Sequence, residues 1–308
     1  MKRSTVAVLA ACALLAGCSS ASGSQSGSED TTYAAQVAST DLYAEAPQHV
    51  EIGITSSTQQ GIQLLTSGTV ALTLSPFQSG PGTSFSGNAR YIGAPGTEGD
   101  TGTAHLSDPS TARGIYELDG TFDQPGVWQA DVSFSVDGAP VSLSTQFQVA
   151  TKPALPATGQ MAFRTDNLTM RSHVDPQSID SQAQDGTPVP DPALHQDTIA
   201  GAIAAHRAAI VLFATPVYCQ SQFCGPETDE LLRMAKAGPK DADYIHIEIY
   251  KNFTKHQVNA AAKQWVIRPN AASDPWLFVI APNGRIADRW GPLFDPAQVM
   301  AELRRVAG

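Results

Sequence analysis

The hydrophobic period changes once along this chain, near residue 150, and a single sheet or helical bundle cannot satisfy both halves of the pattern. Between Val50 and Val149 apolar residues alternate: Val50, Ile52 and Ile54; Val70, Leu72 and Leu74; Trp128, Ala130, Val132, Phe134 and Val136. Alternation at period two places one face of each strand in a core and leaves the other wet. Turn residues divide the runs at Ser67-Gly68, Ser79-Gly80-Pro81-Gly82, Asp119-Gly120, Pro125-Gly126 and Asp137-Gly138. Beyond Asp197 the period lengthens to that of helices, interrupted by continuous apolar runs such as "AIVLFATP". At 308 residues the chain is long enough for two cores.

Short, regularly punctuated strands predict a β-sandwich over residues 47–150. Within it, "GIYELDGTFDQPGVWQADVSF" resembles the later strands of immunoglobulin-like domains of bacterial exported proteins. The resemblance implies an all-β immunoglobulin-like fold of about a hundred residues. This half holds no cysteine, so packing alone must secure it. His105, in "GTAHLSDPS", reads as a solvated loop residue and Trp128 as core, and no chemistry is expected here.

The start of the chain is a targeting signal. Met1-Lys2-Arg3 is basic, Val6 to Ala16 is an unbroken small and apolar run, and the run ends in Leu15-Ala16-Gly17-Cys18. A spanning helix needs about 20 apolar residues, so this run is too short to remain as an anchor. Leu-Ala-Gly-Cys resembles the lipobox of bacterial lipoproteins, which implies removal of residues 1–17 and a lipid on Cys18 that tethers the protein to a membrane outside the cytoplasm. Residues 18–46 begin "CSSASGSQSGSED", almost devoid of apolar side chains, and read as a flexible tether. A formal net charge of −10, with no basic cluster after Arg3 beyond Arg304-Arg305, argues against nucleic acid or anionic lipid headgroups as partners.

Residues 151–190 are rich in Pro and Gly ("KPALPATGQ", "DGTPVPDPAL") and predict a linker with some ordered contacts. Met170 and His173 in "MRSHVDP" lack a third partner at ligand spacing and read as solvated. Residues 191–308 then give a helix at "TIAGAIAAHRA", a doubly covered strand at "AIVLFATP", a helix from Pro226-Glu227 to Gly238-Pro239, a strand at "DYIHIEIY", a helix at "TKHQVNAAAKQW", a hairpin about Asn283-Gly284 and a capped final helix at "DPAQVMAELRRV". This order predicts an α/β fold with a parallel part and an antiparallel edge.

The four cysteines separate by location. Cys12 leaves with the signal, Cys18 carries lipid, and Cys219 and Cys224 remain in "ATPVYCQSQFCGPETDELL". Exported thiols tend to pair in an oxidising compartment, so these two are expected to form a disulfide. On one straight helix, residues five apart point about 140° away from each other, so Gln220 to Phe223 must bend. A cysteine just ahead of a helix meets unpaired N–H groups and the positive end of the dipole, which favour thiolate. That reasoning makes Cys224, followed by Gly225-Pro226, the expected nucleophile and Cys219 the resolving thiol.

Strand "AIVLFA", the Cys224-Gly225-Pro226 loop into a helix, and the X-Pro of Ser273-Asp274-Pro275-Trp276 before a hairpin together resemble the thioredoxin-like fold over roughly residues 193–308. The resemblance implies thiol-disulfide exchange with extracytoplasmic protein thiols or disulfides, no cofactor, and a cis Pro275 that faces the dithiol and helps bind extended substrate. Two departures stand out. The motif is C-x4-C with Glu227 where thioredoxins carry their second cysteine, and Leu212 occupies the place of their buried acid. Glu227 either substitutes for that acid or simply favours the helix N-terminus.

Three readings of the cysteine pair stay open: a cycling dithiol, a static staple in a redox-inert surface scaffold, and a metal clip. Closing so short a loop contributes less than about 3 kcal/mol, a thin reason for a staple. The metal reading follows copper-handling relatives of the thioredoxin-like fold, which use a close Cys pair plus a downstream His. His246 and His256 lie downstream, but His246 is accounted for by a half-buried polar strand face of Tyr244, His246, Glu248 and Tyr250.

Overall fold

A computed structural model describes residues 31–59, 61–97, 102–184, 186–219, 221–268 and 275–308. The molecule is β-rich, with its strands in three sheets. The signal segment, Cys18 and the start of the tether lie outside the described residues. Among the described residues no helix is long and apolar enough to cross a membrane.

The first sheet is wholly antiparallel and contains β1 (Thr32–Val37), β2 (Pro47–Thr58), β3 (Gly61–Thr66), β4 (Thr69–Pro76), β5 (Phe85–Gly93), β6 (His105–Ser107), β7 (Gly114–Thr121), β8 (Gly126–Val136) and β9 (Ala139–Val149). Its order is β6-β3-β2-β7-β5-β4-β8-β9, with β1 also paired to β2. One hydrogen-bonded path therefore joins eight strands, and β1 branches from it at β2. Five strand spacings separate β1 from β8 along it, about 24 Å in a flat sheet, yet the Tyr33 and Phe134 rings are 5.7 Å apart. The sheet must curl over itself. Its concave face buries the alternating residues of the sequence pattern, including Val50, Ile52, Leu72, Leu74, Trp128 and Val132, around Phe122. His105 lies on β6 rather than in a loop, beside Thr66 and Ser107.

The second sheet has order β11-β10-β14-β15, from β10 (Ala209–Ala214), β11 (Asp243–Glu248), β14 (Trp276–Ile280) and β15 (Ile286–Trp290). β10 and β11 are parallel, while β14 is antiparallel to both β10 and β15. Every residue of β10, β11 and β14 is buried, because helices cover both faces. α1 (Ile199–Ala204) and α3 (Ala260–Trp265) pack on Val211, Phe213, Ile245 and Phe278. α2 (Cys224–Ala237) and α4 (Pro296–Ala307) pack on Ile210, Leu212, Leu277 and Val279. Thr198 caps α1 and Asp295 caps α4 through side-chain oxygens.

Three sequence expectations need revision. Residues 32–46 are not free tether: β1 is zipped to β2, and Leu42, Tyr43 and Ala44 are buried. The helix expected over "TKHQVNAAAKQW" is confined to α3, because residues 253–256 turn back between β12 (Tyr250–Asn252) and β13 (Gln257–Val258), the third sheet, with His256 at φ 51°. Residues 151–190 are packed chain: Leu155, Ala157, Ala162, Ile179, Ala183 and Val189 are buried, and Met161 bridges to Arg285.

Charged side chains lock the two large sheets together. Arg289 of β15 donates to Asp41 Oδ2 at 2.7 Å, and His49 of β2 reaches Asp288 at 3.3 Å while stacking on Trp290. Arg90 of β5 bonds both Glu117, at 2.8 Å, and Asp295 at the start of α4.

Candidate functional site

Cys219 and Cys224 form a disulfide, with Cα atoms 5.9 Å apart, inside the range that geometry permits. The loop that brings them together leaves the end of β10 at Ala214 and re-enters regular structure at Cys224, the first residue of α2. Its first turn is fixed by the Tyr218 amide donating to the Thr215 carbonyl at 3.2 Å, and by the Val217 amide donating to Ser181 Oγ at 3.2 Å. Tyr218 stacks on Phe253 with ring centroids 3.9 Å apart. The required bend comes at Gln222, whose φ of 64° reverses the chain.

The other sheet holds this bend from outside. Arg113 donates to Gln222 Oε1 at 2.6 Å, and Phe223 packs with Ile92, Ala94, Ile115 and Leu293. The cysteine loop is thus clamped between the two large sheets.

Burial separates the sulfurs. Cys224 is fully buried, in the core with Leu212, Ala214 and Leu277, whereas Cys219 is partly exposed. The helix N-terminus serves the exposed one: the Cys224 amide donates to Cys219 Sγ at 3.3 Å, and Ser221 Oγ lies 3.1 Å from the same sulfur. No side chain caps α2, since Phe223 holds the N-cap position, so the sulfur takes a donor that a capping oxygen would otherwise satisfy. The sequence assigned this donor to Cys224. The bend at Gln222 redirects it to Cys219.

Glu227 lies one turn beyond Cys224 and is 1 % exposed. It is not a solvated helix-start acid. Burial, then the neighbouring Glu51, raises its carboxyl well above the ordinary range, against a smaller opposing contribution from a Phe294 backbone hydrogen bond. Glu51, on β2, is itself fully buried and raised well above that range by burial and by Glu117, with His49 acting in the opposite sense. A carboxyl from α2 and one from β2, both raised well above the ordinary range, therefore lie near each other. Leu212, at the position where an acid would be expected, is buried in the apolar core.

Pro275 is buried and comes one residue before Trp276, which pairs with Phe213 at the end of β10. It therefore sits at the same end of the sheet as the cysteine loop. The Asp274–Pro275 peptide lies outside the described residues because Asp274 does. Of the histidines considered for copper, His256 is exposed in the turn after β12, and His246 is fully buried with Nδ1 3.4 Å from Asp180 and Nε2 3.3 Å from the Ala214 carbonyl. The half-buried polar face expected for β11 is thus a covered one, closed by residues 178–181 and 194–195. Met170 and His173 are exposed.

Comparison with protein-family models, with curated proteins and with solved structures returned no match in any of the three. The reading of function therefore rests on this geometry.

Proposed function

We propose that the protein is a lipid-anchored, extracytoplasmic thiol-disulfide exchange protein whose C-terminal half, residues 191–308, is a thioredoxin-like domain. Support for the fold comes from the β11-β10-β14-β15 order, with one parallel pair, two helices on each face and a disulfide where a buried strand passes into a helix. The observation that carries the activity is the hydrogen bond from the first amide of α2 to the sulfur of the partly exposed Cys219. A donor aimed at sulfur favours the thiolate over the thiol and so makes it both a leaving group and a nucleophile.

In this mechanism a partner's thiolate attacks Cys219 Sγ, the Cys219–Cys224 bond breaks, and the electron pair leaves on Cys224. Attack by Cys224 thiolate on the mixed disulfide then reverses the step. In the reducing direction Cys219 thiolate attacks a partner disulfide, the partner's leaving sulfur takes up the electron pair and a proton, and Cys224 resolves the mixed disulfide. Glu227, one turn beyond Cys224 with its carboxyl raised well above the ordinary range, is the nearest acid in sequence on the same helix to supply a proton to the leaving Cys224 sulfur. Exposed Val217 and Phe253 border the loop and offer apolar surface to an unfolded or extended partner.

The roles are tested by trapping. Cys224→Ser should accumulate a mixed disulfide between Cys219 and a small disulfide such as oxidised glutathione, whereas Cys219→Ser should trap far less because its remaining sulfur is buried. Equal trapping by both variants would return the nucleophile's role to Cys224, and trapping by neither would favour a static staple in a scaffold protein.

A further inference from the structure

A second group of reactive side chains is buried where residues on either side of Asp180 and His195 cover β11, close to the end of β10 from which the cysteine loop leaves. Asp180, Asp191, His195 and His246 each present a ligand atom, and the four atoms lie within 4.8 Å of one another. Asp180, His195 and His246 are 0 to 1 % exposed and Asp191 is 6 % exposed. Asp180 Oδ2 and His246 Nδ1, the atoms these two residues turn toward each other, are buried and make no hydrogen bond. Such groups are costly to bury unless something binds them.

The spacing indicates what that is. His195 Nε2 is 3.3 Å from Asp191 Oδ1 and 3.7 Å from Asp180 Oδ2, and His246 Nδ1 is 3.4 Å from Asp180 Oδ2. A tetrahedral ion bonded to N and O at zinc distances has ligand-to-ligand edges of about 3.3 to 3.5 Å. The tautomer of His246 fits as well. Its Nε2 faces the Ala214 carbonyl at 3.3 Å, so a neutral ring places its proton there and directs the Nδ1 lone pair at the Asp180 carboxylate. Two lone-pair donors face to face repel unless a proton or a metal cation lies between them, and a ligand histidine whose other nitrogen donates to a carbonyl is the usual second-shell arrangement.

We infer that Asp180, Asp191, His195 and His246 form a closed four-ligand site for a divalent transition-metal ion, zinc by its two-imidazole, two-carboxylate donor set and tetrahedral spacing. Two carboxylates, two neutral imidazoles and a dication leave the buried site without net charge. Four protein ligands leave no position for substrate, so the ion is structural. It ties residues 180–195 to β11 and, through Ser181 Oγ at the Val217 amide, braces the approach to Cys219. A cavity of about 150 Å³ bordered by Ser178, Ile179, His246 and Glu248 reaches the His246 member of the cluster.

The full-length protein, stripped with chelator and titrated with zinc chloride, should take up one ion per chain as measured by elemental analysis and melt at higher temperature with it. Cobalt should give the intense visible bands of a tetrahedral site. His195→Gln and Asp191→Asn should lose stoichiometric uptake, while Cys219→Ser/Cys224→Ser should retain it, which separates this site from a thiolate clip. If wild-type protein takes up no zinc and its melting temperature does not move, the cluster is a histidinium–aspartate network and the inference is wrong, whether or not the variants fold. Uptake that survives in both ligand variants and vanishes with the cysteines would overturn it equally.

Discussion

Arg289 is the side chain whose loss should most weaken the union of the two large sheets. It is 6 % exposed and donates to Asp41 Oδ2 at 2.7 Å, to the Asp41 carbonyl at 3.0 Å and to the Pro156 carbonyl at 3.1 Å. Its guanidinium also lies 5.1 Å from the Tyr43 ring and 5.2 Å from the Trp276 ring. Arg289→Met keeps the aliphatic volume and removes the charge. The Asp41 carboxylate then stays buried with only the Ala154 and Leu155 amides, at 2.8 and 3.0 Å, to solvate it. Removing one partner of a buried pair costs about 3 to 5 kcal/mol, and the two remaining amides place this case near 3 kcal/mol. Urea unfolding followed by linear extrapolation measures the loss. Asp41→Asn in the same background should recover part of it, because it removes the stranded charge while its one amide oxygen still accepts from one of the two backbone donors, which bond to separate oxygens of Asp41. A loss below about 1 kcal/mol, or a double variant no better than Arg289→Met alone, would refute the assignment of this pair as a buried clamp.

Two more outcomes follow from the same interface and from the chain's start. Because burial raises Glu227 and Glu51, helped by Glu51 at Glu227 and by Glu117 at Glu51, the folded state holds protons that an unfolded chain releases near pH 4.3. The resulting stability is complete below that pH and is lost as pH rises through the raised values. Glu227→Gln mimics the neutral form, so its stability relative to wild type should grow with pH across thermal melts from pH 5 to 9; a difference that shrinks with pH would contradict the burial argument. Cys18→Ala should shift the protein from the membrane fraction to an unprocessed or released form, whereas wild-type protein recovered soluble with an unmodified Cys18 would dismiss the lipid anchor.

What the sequence disclosed depends on how local each signal is. Val70 to Leu74 and Trp128 to Val136 announce strands because each alternates between a core face and a wet one, and β10 announces itself by being covered on both faces. β1 escapes notice because "TYAAQV" is short, carries small residues and follows a polar tether. Glu51 and His49 look like wet positions of an alternating strand, but the second half of the molecule packs over them. The cysteine pairing is legible from location and arithmetic alone. Which sulfur receives the helix amide is not, because it hangs on the left-handed turn at Gln222. Asp180, His195 and His246 are scattered along the chain and converge only when residues 151–197 fold back on β11; no spacing rule joins them.

The central claim is that the Cys219–Cys224 disulfide opens and closes in use, and its reduction potential tests this most directly. Equilibrating the wild-type protein in graded dithiothreitol buffers and counting free thiols at each gives the value. The account predicts a potential above about −300 mV, where exchange with other dithiols is thermodynamically accessible. A potential below about −300 mV, with the disulfide intact through all but the strongest reductant, would mark a permanent staple and contradict it.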